Sequence, residues 1–341
     1  MTRVMQVMAG AAHGGAEAFF DRLVPALSRA GVEQCAVIRR NEERAALLRG
    51  HGLAPIELPF GGLFDLTTRR ALHRAVREFA PDVQLAWMNR AALFCRPNGH
   101  VVAGRMGGYY DLKYYRYCHH LIGNTPGIRD YIVQSGWPRE NAWYLPNFVD
   151  GAAMAPVPRS SLDTPDDVPL LLALGRLHAN KGFDVLLSAL RGIPGAILWL
   201  GGEGPEEATL KHAADQLGVS GRVRFLGWRR DVAALMAAAD IFVCPSRHEP
   251  LGNVVLEAWA QRVPVVATAT AGPASLIKDR QSGLLVPVEH ADALARAITT
   301  LLADTAMATE IAEAGHAAYS AGYTEKSVVA QYREFFERIT H

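Results

Sequence analysis

Four short stretches concentrate the residue types that could bind and transform a ligand. The segment 245–258 reads Pro-Ser-Arg-His-Glu-Pro-Leu-Gly-Asn-Val-Val-Leu-Glu-Ala, so that seven residues separate Glu249 from Glu257. Gly252 is expected to open a helix whose first N–H groups have no partner inside the helix. Glu249 then lies on the loop before the helix and Glu257 over one turn into it. A carboxylate at the helix mouth and another on its face suit hydroxyls on two parts of one ligand. Acidic residues near a helix start are also common for dipole reasons alone, but Glu249 just before Pro250 in a strand-end loop is less ordinary. Upstream, Arg176 and Lys181 stand five residues apart after an apolar strand, in Gly-Arg-Leu and Lys-Gly contexts. Arg offers a planar fork to phosphate oxygens and Lys a compact charge. A solvated pair on a loop is the alternative.

Two glycine loops complete the set. Gly201, Gly202, Glu203, Gly204 and Pro205 follow another apolar strand and could admit a nucleotide close to the backbone, or form a plain turn. Near the start, His13, Gly14, Gly15, Ala16 and Glu17 follow the first strand and precede a helix. Glycines there let backbone N–H groups approach an anion at the helix N-terminus. The loop is not a GxGxxG, and Arg39 and Arg40, not an acid, end the second strand. Both points weaken a nicotinamide reading.

The elements that must position these residues form two series. Continuous apolar strands of about five residues alternate with helical patterns, as parallel sheets covered on both faces require. The first series places strands at residues 3–9, 34–38, 55–59, 83–88, 101–104 and 121–124. The second opens at Leu170 and continues through AILWLGG, VRFLG, IFVCPS and VPVVAT. Pro156, Pro158, Pro165 and Pro169 lie between the series and mark a linker. The expected organisation is α/β: two doubly wound Rossmann-like domains facing each other across a crevice, with ligands at the carboxyl ends of the strands. Residues 1–152 form the first domain, with the C-terminal helix 325–341 packing back on it, 153–168 the linker, and 169–324 the second domain.

Composition fits this reading. The chain has 341 residues, half of them hydrophobic and a fifth charged, with 35 Lys and Arg against 34 Asp and Glu. That balance argues against a dedicated nucleic-acid binder. Residues 1–150 carry 18 basic against 13 acidic residues and the remainder 17 against 21. This unevenness is either chance or a basic face toward an anionic partner. Four scattered cysteines show neither a CxxC nor zinc-ligand spacing, so they read as reduced, packed thiols of a cytoplasmic protein. The N-terminus reads as a first strand and not a signal peptide, and no run approaches 18 apolar residues.

In combination these motifs resemble the retaining, nucleotide-sugar-dependent glycosyltransferases of family 4, which have the two-domain GT-B fold. The resemblance runs through TATAGPASLIKDRQSGLLVPVEHADALARAI, and Pro146, Asn147, Phe148, Val149 and Asp150 match the family's junction between domains. It implies that Gly14 and Gly15 approach the donor diphosphate and that Arg176 and Lys181 neutralise it as it leaves. It implies that Glu257 holds the ribose and Glu249 the transferred sugar near the reacting carbon, making Glu249 the catalytic assignment. The backbone of Leu251, Gly252 and Asn253 contacts sugar or phosphate, and Arg229 sits where the family touches the nucleobase. The donor is then a co-substrate carrying UDP, GDP or ADP. No other cofactor is implied, and no metal, because cations and helix N-termini supply the charge and no DxD-type cluster stands out.

One departure concerns the acceptor. Many relatives carry a His after a first-domain strand, whereas residues 101–110 here contain none. Arg105 or the Gly107 and Gly108 backbone would fill that place; His119 and His120 read as structural. Tyr109 opens a run of five tyrosines in nine residues, suited to stacking on sugar rings or to packing as an amphipathic helix. Arg69, Arg70, Arg74 and Arg77 form either a solvated helix face or a peripheral contact with the inner membrane surface. The partners expected are thus a nucleotide-sugar donor and a glycan or glycolipid acceptor of lipopolysaccharide core or another envelope polysaccharide, with no obligate protein partner. The alternatives are a sugar-nucleotide epimerase or phosphorylase on the same fold, or a catalytically silent nucleotide-sugar-binding subunit. An epimerase would need acid/base carboxylates that the first-domain loop does not supply, and a phosphorylase a cofactor-binding lysine that has no obvious place.

Overall fold

The computed structural model describes residues 2–12, 14–62 and 65–340. The elements run β1 (Arg3–Met8), α1 (Gly15–Arg29), β2 (Glu33–Arg39), α2 (Glu42–Gly50), β3 (Ile56–Leu58), α3 (Leu66–Phe79), β4 (Val83–Trp87), α4 (Met88–Phe94), β5 (Val101–Met106), β6 (His120–Gly123), α5 (Pro126–Gln134) and β7 (Ala142–Tyr144). They continue with β8 (Leu170–Leu174), α6 (Phe183–Leu190), β9 (Ile197–Gly201), α7 (Glu207–Gln216), β10 (Val223–Gly227), α8 (Val232–Ala238), β11 (Ile241–Cys244), α9 (Asn253–Ala260), β12 (Val265–Thr268), α10 (Ala271–Leu276), β13 (Leu284–Val286), α11 (Ala291–Ala303), α12 (Thr305–Gly322) and α13 (Glu325–Thr340). The short strands β7 and β13 add to those expected from the sequence. Three residues each, they are too brief to show a pattern.

Two compact units result: residues 1–148 with 325–341, and residues 149–324. In the first, seven parallel strands take the order β3-β2-β1-β4-β5-β6-β7. In the second, six take the order β10-β9-β8-β11-β12-β13. Both orders reverse direction beside the first strand of the unit, between β1 and β4 and between β8 and β11. Consecutive loops leave opposite sides of the sheet at such a point, which opens space for a ligand at the strand ends.

In the first unit, α1 buries Phe19, Phe20, Leu23, Val24 and Leu27 on the sheet. Beside it α13 buries Val328, Val329, Tyr332, Phe335 and Phe336, whose spacing makes one helical stripe. Phe19 meets Phe148 and Phe20 meets Trp87 edge-to-face at 5.4 and 5.2 Å, and Trp143 meets Phe335 at 5.1 Å. Each such ring contributes roughly 1.5–3 kcal/mol by burial, enough to hold a terminal helix far from its neighbours in sequence.

In the second unit, α9 and α12 approach closely because Gly315 has no side chain. A Cβ there would lie 2.3 Å from the Trp259 ring. Residues 153–168 pack on this unit rather than hanging free. Val157 N–H donates to the Ala234 carbonyl at 3.1 Å, and Arg159 donates to Asp240 at 2.7 Å and to the carbonyl of Ala238 at 2.8 Å. Among the described residues no helix is long and apolar enough to cross a membrane.

Candidate functional site

The second unit gathers its motif loops at the carboxyl edge of the sheet. Glycines let the loops touch backbone to backbone. A Cβ on Gly202 would sit 1.9 Å from the Gly175 carbonyl oxygen, and one on Gly204 2.2 Å from that of Leu177. A Cβ on Gly182 would sit 2.2 Å from the Pro245 oxygen. Hydrogen bonds then stitch the contacts. Leu177 N–H donates to Glu203 O at 2.9 Å, and the N–H groups of Arg247 and His248 share the Asn180 carbonyl at 2.8 and 3.1 Å. On the far side, Gly272 N–H donates to Glu249 O at 2.7 Å. The loops after β9, β8, β11 and β12 thus form one continuous rim.

Lys181 and Glu249 meet on this rim, at the switch between β8 and β11. Lys181 Nζ donates to Glu249 Oε2 at 2.5 Å, and Gly252 N–H reaches Glu249 Oε1 at 3.2 Å. Glu249 is buried, and Gly252, with φ 79°, turns the chain into α9. Burial opposes the Lys181 charge, but the charge and hydrogen bond of Glu249 outweigh it and hold the Lys181 pKa above its ordinary value. Glu257, half-buried on α9, is near enough to raise it further. Asn253 opens α9, and Leu251 lies just before it, half-buried. Arg176 is exposed and makes no hydrogen bond or ion pair among the described residues. The rim therefore holds one uncommitted guanidinium, one ammonium shared with a carboxylate, and the start of a helix. That combination suits an anion joined to a polyhydroxyl group.

Arg247 was not singled out from the sequence, yet it anchors the loop that carries Glu249. It bonds both Asp184 oxygens at 2.7 Å, Glu289 at 2.7 Å and the Ala179 carbonyl at 2.8 Å. Only the three-dimensional pairing marks it out, since its partners lie 42 to 68 residues away. Arg229 is committed elsewhere, forming a two-point pair with Asp231 at 2.8 and 2.5 Å. Its neighbour Trp228 is 63% exposed.

In the first unit, Gly14 and Gly15 start α1; His13 lies outside the described residues. A carboxylate already occupies this loop. Glu17 Oε1 accepts the Ala11 N–H at 2.8 Å, and a Cβ on Gly10 or Gly14 would fall 2.2 or 2.4 Å from the Glu17 oxygens. Arg44, buried, fixes the loop from below through Asp21 at 2.8 Å and the Ala12 carbonyl at 3.2 Å. Arg105 does not reach the surface. Fully buried, it lies between the Phe19 and Trp87 rings, at 4.6 and 4.7 Å, and bonds Tyr332 and Asn147. A strand position facing α1 and α13 puts its side chain in the core. Tyr109, by contrast, is 43% exposed. No group of three or more His, Cys, Asp or Glu among the described residues is arranged to hold a metal ion.

Residues 157–318 match the family model described as glycosyl transferases group 1. Across nearly its whole length the chain is similar to the lipopolysaccharide core biosynthesis glycosyltransferase LpsE of Rhizobium meliloti (strain 1021). It is 40% identical over 327 residues, 94% of each chain. The chain belongs to the group 1 glycosyltransferases. LpsD of the same organism, another lipopolysaccharide core biosynthesis glycosyltransferase, is 34% identical to it over 339 residues, 98% of each chain. Among solved structures, Anabaena Alr3699/HepE in complex with UDP superimposes on this glycosyltransferase with a TM-score of 0.87 at 21% identity, covering 98% of this chain and 99% of that one. The same protein in complex with UDP-glucose gives 0.86. The fold is that of these enzymes, GT-B, built from two parallel-sheet Rossmann-like domains. The matched residues 157–318 contain the whole rim of loops described above.

Proposed function

We propose that this glycosyltransferase moves a sugar from a nucleotide diphosphate-sugar to a glycan or glycolipid acceptor in the synthesis of lipopolysaccharide core or another envelope polysaccharide. It does so with retention, as in family 4. The Lys181–Glu249 pair at the switch point, beside an unpaired Arg176, carries the reading. The names of LpsE and LpsD support the acceptor class, and the UDP and UDP-glucose complexes of HepE support a nucleotide-sugar donor.

The chemistry follows from these side chains. The bond between the anomeric carbon and the diphosphate oxygen breaks, leaving negative charge on phosphate and positive charge on the sugar. Arg176 and Lys181 stabilise the first, with the N–H groups at the start of α9. Glu249, released from Lys181 as phosphate takes that ammonium, turns to the sugar hydroxyls beside the cationic carbon. The acceptor oxygen forms the new bond on the same face, and its proton passes to the leaving phosphate oxygen. Glu257 holds the ribose, and Leu251, Gly252 and Asn253 line the sugar. Gly14 and Gly15 approach the diphosphate once Glu17 yields, and the exposed Trp228 takes the base-side role that Arg229, paired to Asp231, leaves open. No metal enters this scheme, because the protein's own cations supply the charge. The first unit serves the acceptor and the second the donor. Work on the cytoplasmic side, with the exposed Arg70, Arg74 and Arg77 of α3 against the membrane, fits such an acceptor.

The test is thermal unfolding against UDP, GDP, ADP and TDP with the matched monophosphates. A ligand at 100 times its dissociation constant adds about 2.7 kcal/mol, several degrees for a unit of this size. A shift with one diphosphate supports the donor site and names its base. No shift with any of them refutes a preformed donor site.

A further inference from the structure

The first unit holds a buried amide that no contact in the fold explains. Asn124, just after β6, is 3% exposed, and its Oδ1 has no hydrogen-bond partner. A buried unpaired acceptor is costly and calls for a reason. Its surroundings supply one. β5 and β6 pair Met106 with Gly123, so Gly107 and Asn124 leave the sheet side by side. A Cβ on Gly107 would stand 3.7 Å from Asn124 Nδ2, in ordinary contact, so the amide lies directly against the glycine. Two residues on, Tyr109 is exposed, and its ring is propped edge-to-face on Tyr131 at 5.3 Å. Its hydroxyl passes over Gly127 in the first turn of α5, where a Cβ would come within 3.0 Å of it. Thr125 Oγ1 caps that turn by accepting the Ile128 N–H at 3.1 Å, and Gly127, an exposed residue of the first turn, has no intrahelical partner for its N–H.

An exposed ring face, a buried unpaired amide and the unbonded first N–H groups of α5 thus lie on the adjoining segments that follow β5 and β6. A pyranose presents the complement: a C–H face that stacks on an aromatic ring, and hydroxyls that donate and accept at once. We infer that Tyr109, Asn124 and the start of α5 form a subsite for one pyranose ring of the acceptor glycan, with Tyr109 as its platform and Asn124 binding one of its hydroxyls. The inference deepens the glycosyl-transfer reading and rests on it. It makes Asn124 a residue kept for binding rather than for stability.

The experiment uses the full chain and three probes: the methyl α-D-glycosides of glucose, galactose and mannose. Saturation-transfer NMR should show ring-proton enhancement for at least one of them. Tyr109→Ala should abolish it, Tyr109→Trp should keep it, and Asn124→Ala should weaken binding about threefold to tenfold. The melting temperature of Asn124→Ala should equal or exceed that of the wild type, since an unpaired acceptor is removed. The diphosphate-induced thermal shift should be unchanged in all variants. Absence of enhancement in the wild type, or equal enhancement in Tyr109→Ala and Asn124→Ala, overturns the subsite. A lowered melting temperature in Asn124→Ala makes the amide structural and overturns its role. Failure of the donor reading shows separately, as a wild type that responds to no nucleoside diphosphate while the glycoside signal stands.

Discussion

Replacing Glu249 with Ala should tighten the binding of a nucleoside diphosphate while abolishing sugar transfer. The reasoning starts from the pair itself. Lys181 and Glu249 lie 2.5 Å apart, with side-chain exposures of 24% and 10%. An exposed pair contributes about 0–1 kcal/mol, whereas breaking a fully buried one costs about 3–5 kcal/mol. This pair falls between, near about 1–2 kcal/mol. A diphosphate that claims the ammonium must overcome that attraction, so removing Glu249 should improve affinity about fivefold to thirtyfold. Titration calorimetry with the diphosphate selected by thermal shift measures it, beside a transfer assay. Glu249→Gln separates charge from packing, because its amide oxygen can still accept the Gly252 N–H. Stability follows the same pair. The folded pKa of Lys181 is raised above its unfolded value, so its contribution is whole below about pH 10.4 and is lost as pH rises through the raised pKa. Melting temperatures of wild type and Glu249→Gln should therefore converge in alkali. Weaker diphosphate binding by Glu249→Ala, or full transfer by it, refutes the reasoning.

Arg247→Ala should loosen the loop that carries Glu249, lowering transfer roughly tenfold or more while diphosphate affinity stays within about threefold; an unchanged turnover would show that Asp184 and Glu289 do not position that loop. Gly202→Ala, which puts a Cβ 1.9 Å from Gly175 O, should cost about 3 kcal/mol or more in urea unfolding. Gly195→Ala, at a left-handed φ of 77° against 136° for Gly202 and with nothing within 4 Å, should cost only about 1–2 kcal/mol; equal costs would remove the loop-contact argument. Burial pushes the thiols of Cys35 and Cys244 up to about 11 and that of Cys118 up to about 12, with Cys95 also well above its usual value. All four should resist iodoacetamide at pH 8 in the folded protein and react once unfolded, as mass spectrometry would show; rapid native labelling of Cys118 would contradict its packing.

How far the site was legible depends on how far apart in sequence its contacts lie. The strands that end in the motif loops were readable because apolar runs of about five residues obey local rules. Glu249, Lys181 and Gly252 stood out for the same reason. Glu17 and Arg247 did not, although each shapes a loop expected to hold the ligand. Glu17 looks like an ordinary first-turn acid until the structure shows its oxygens lying against Gly10 and Gly14. Arg247 looks like a solvated loop cation until Asp184, 63 residues earlier, and Glu289 are brought to it. Arg105 shows the converse. Its sequence setting suggested an acceptor contact, but strand alternation faces it toward α1 and α13, and no local rule could announce a helix arriving from 227 residues away to bond it.

The two glycine loops differ in how a carboxylate sits against them. In the second unit Arg176 is exposed and unpaired among the described residues, and Lys181 is held by the Glu249 carboxylate. In the first unit Glu17 is buried against the glycine loop, its oxygens beside Gly10 and Gly14. Phosphate can therefore engage the second unit by exchanging one partner of Lys181. On the proposed function, the first unit must instead move the Glu17 carboxylate away from Gly14 before its glycines meet phosphate. Glu17→Gln, which keeps the hydrogen bond to Ala11 but removes the repelling charge, should then raise diphosphate affinity less than Glu249→Ala does.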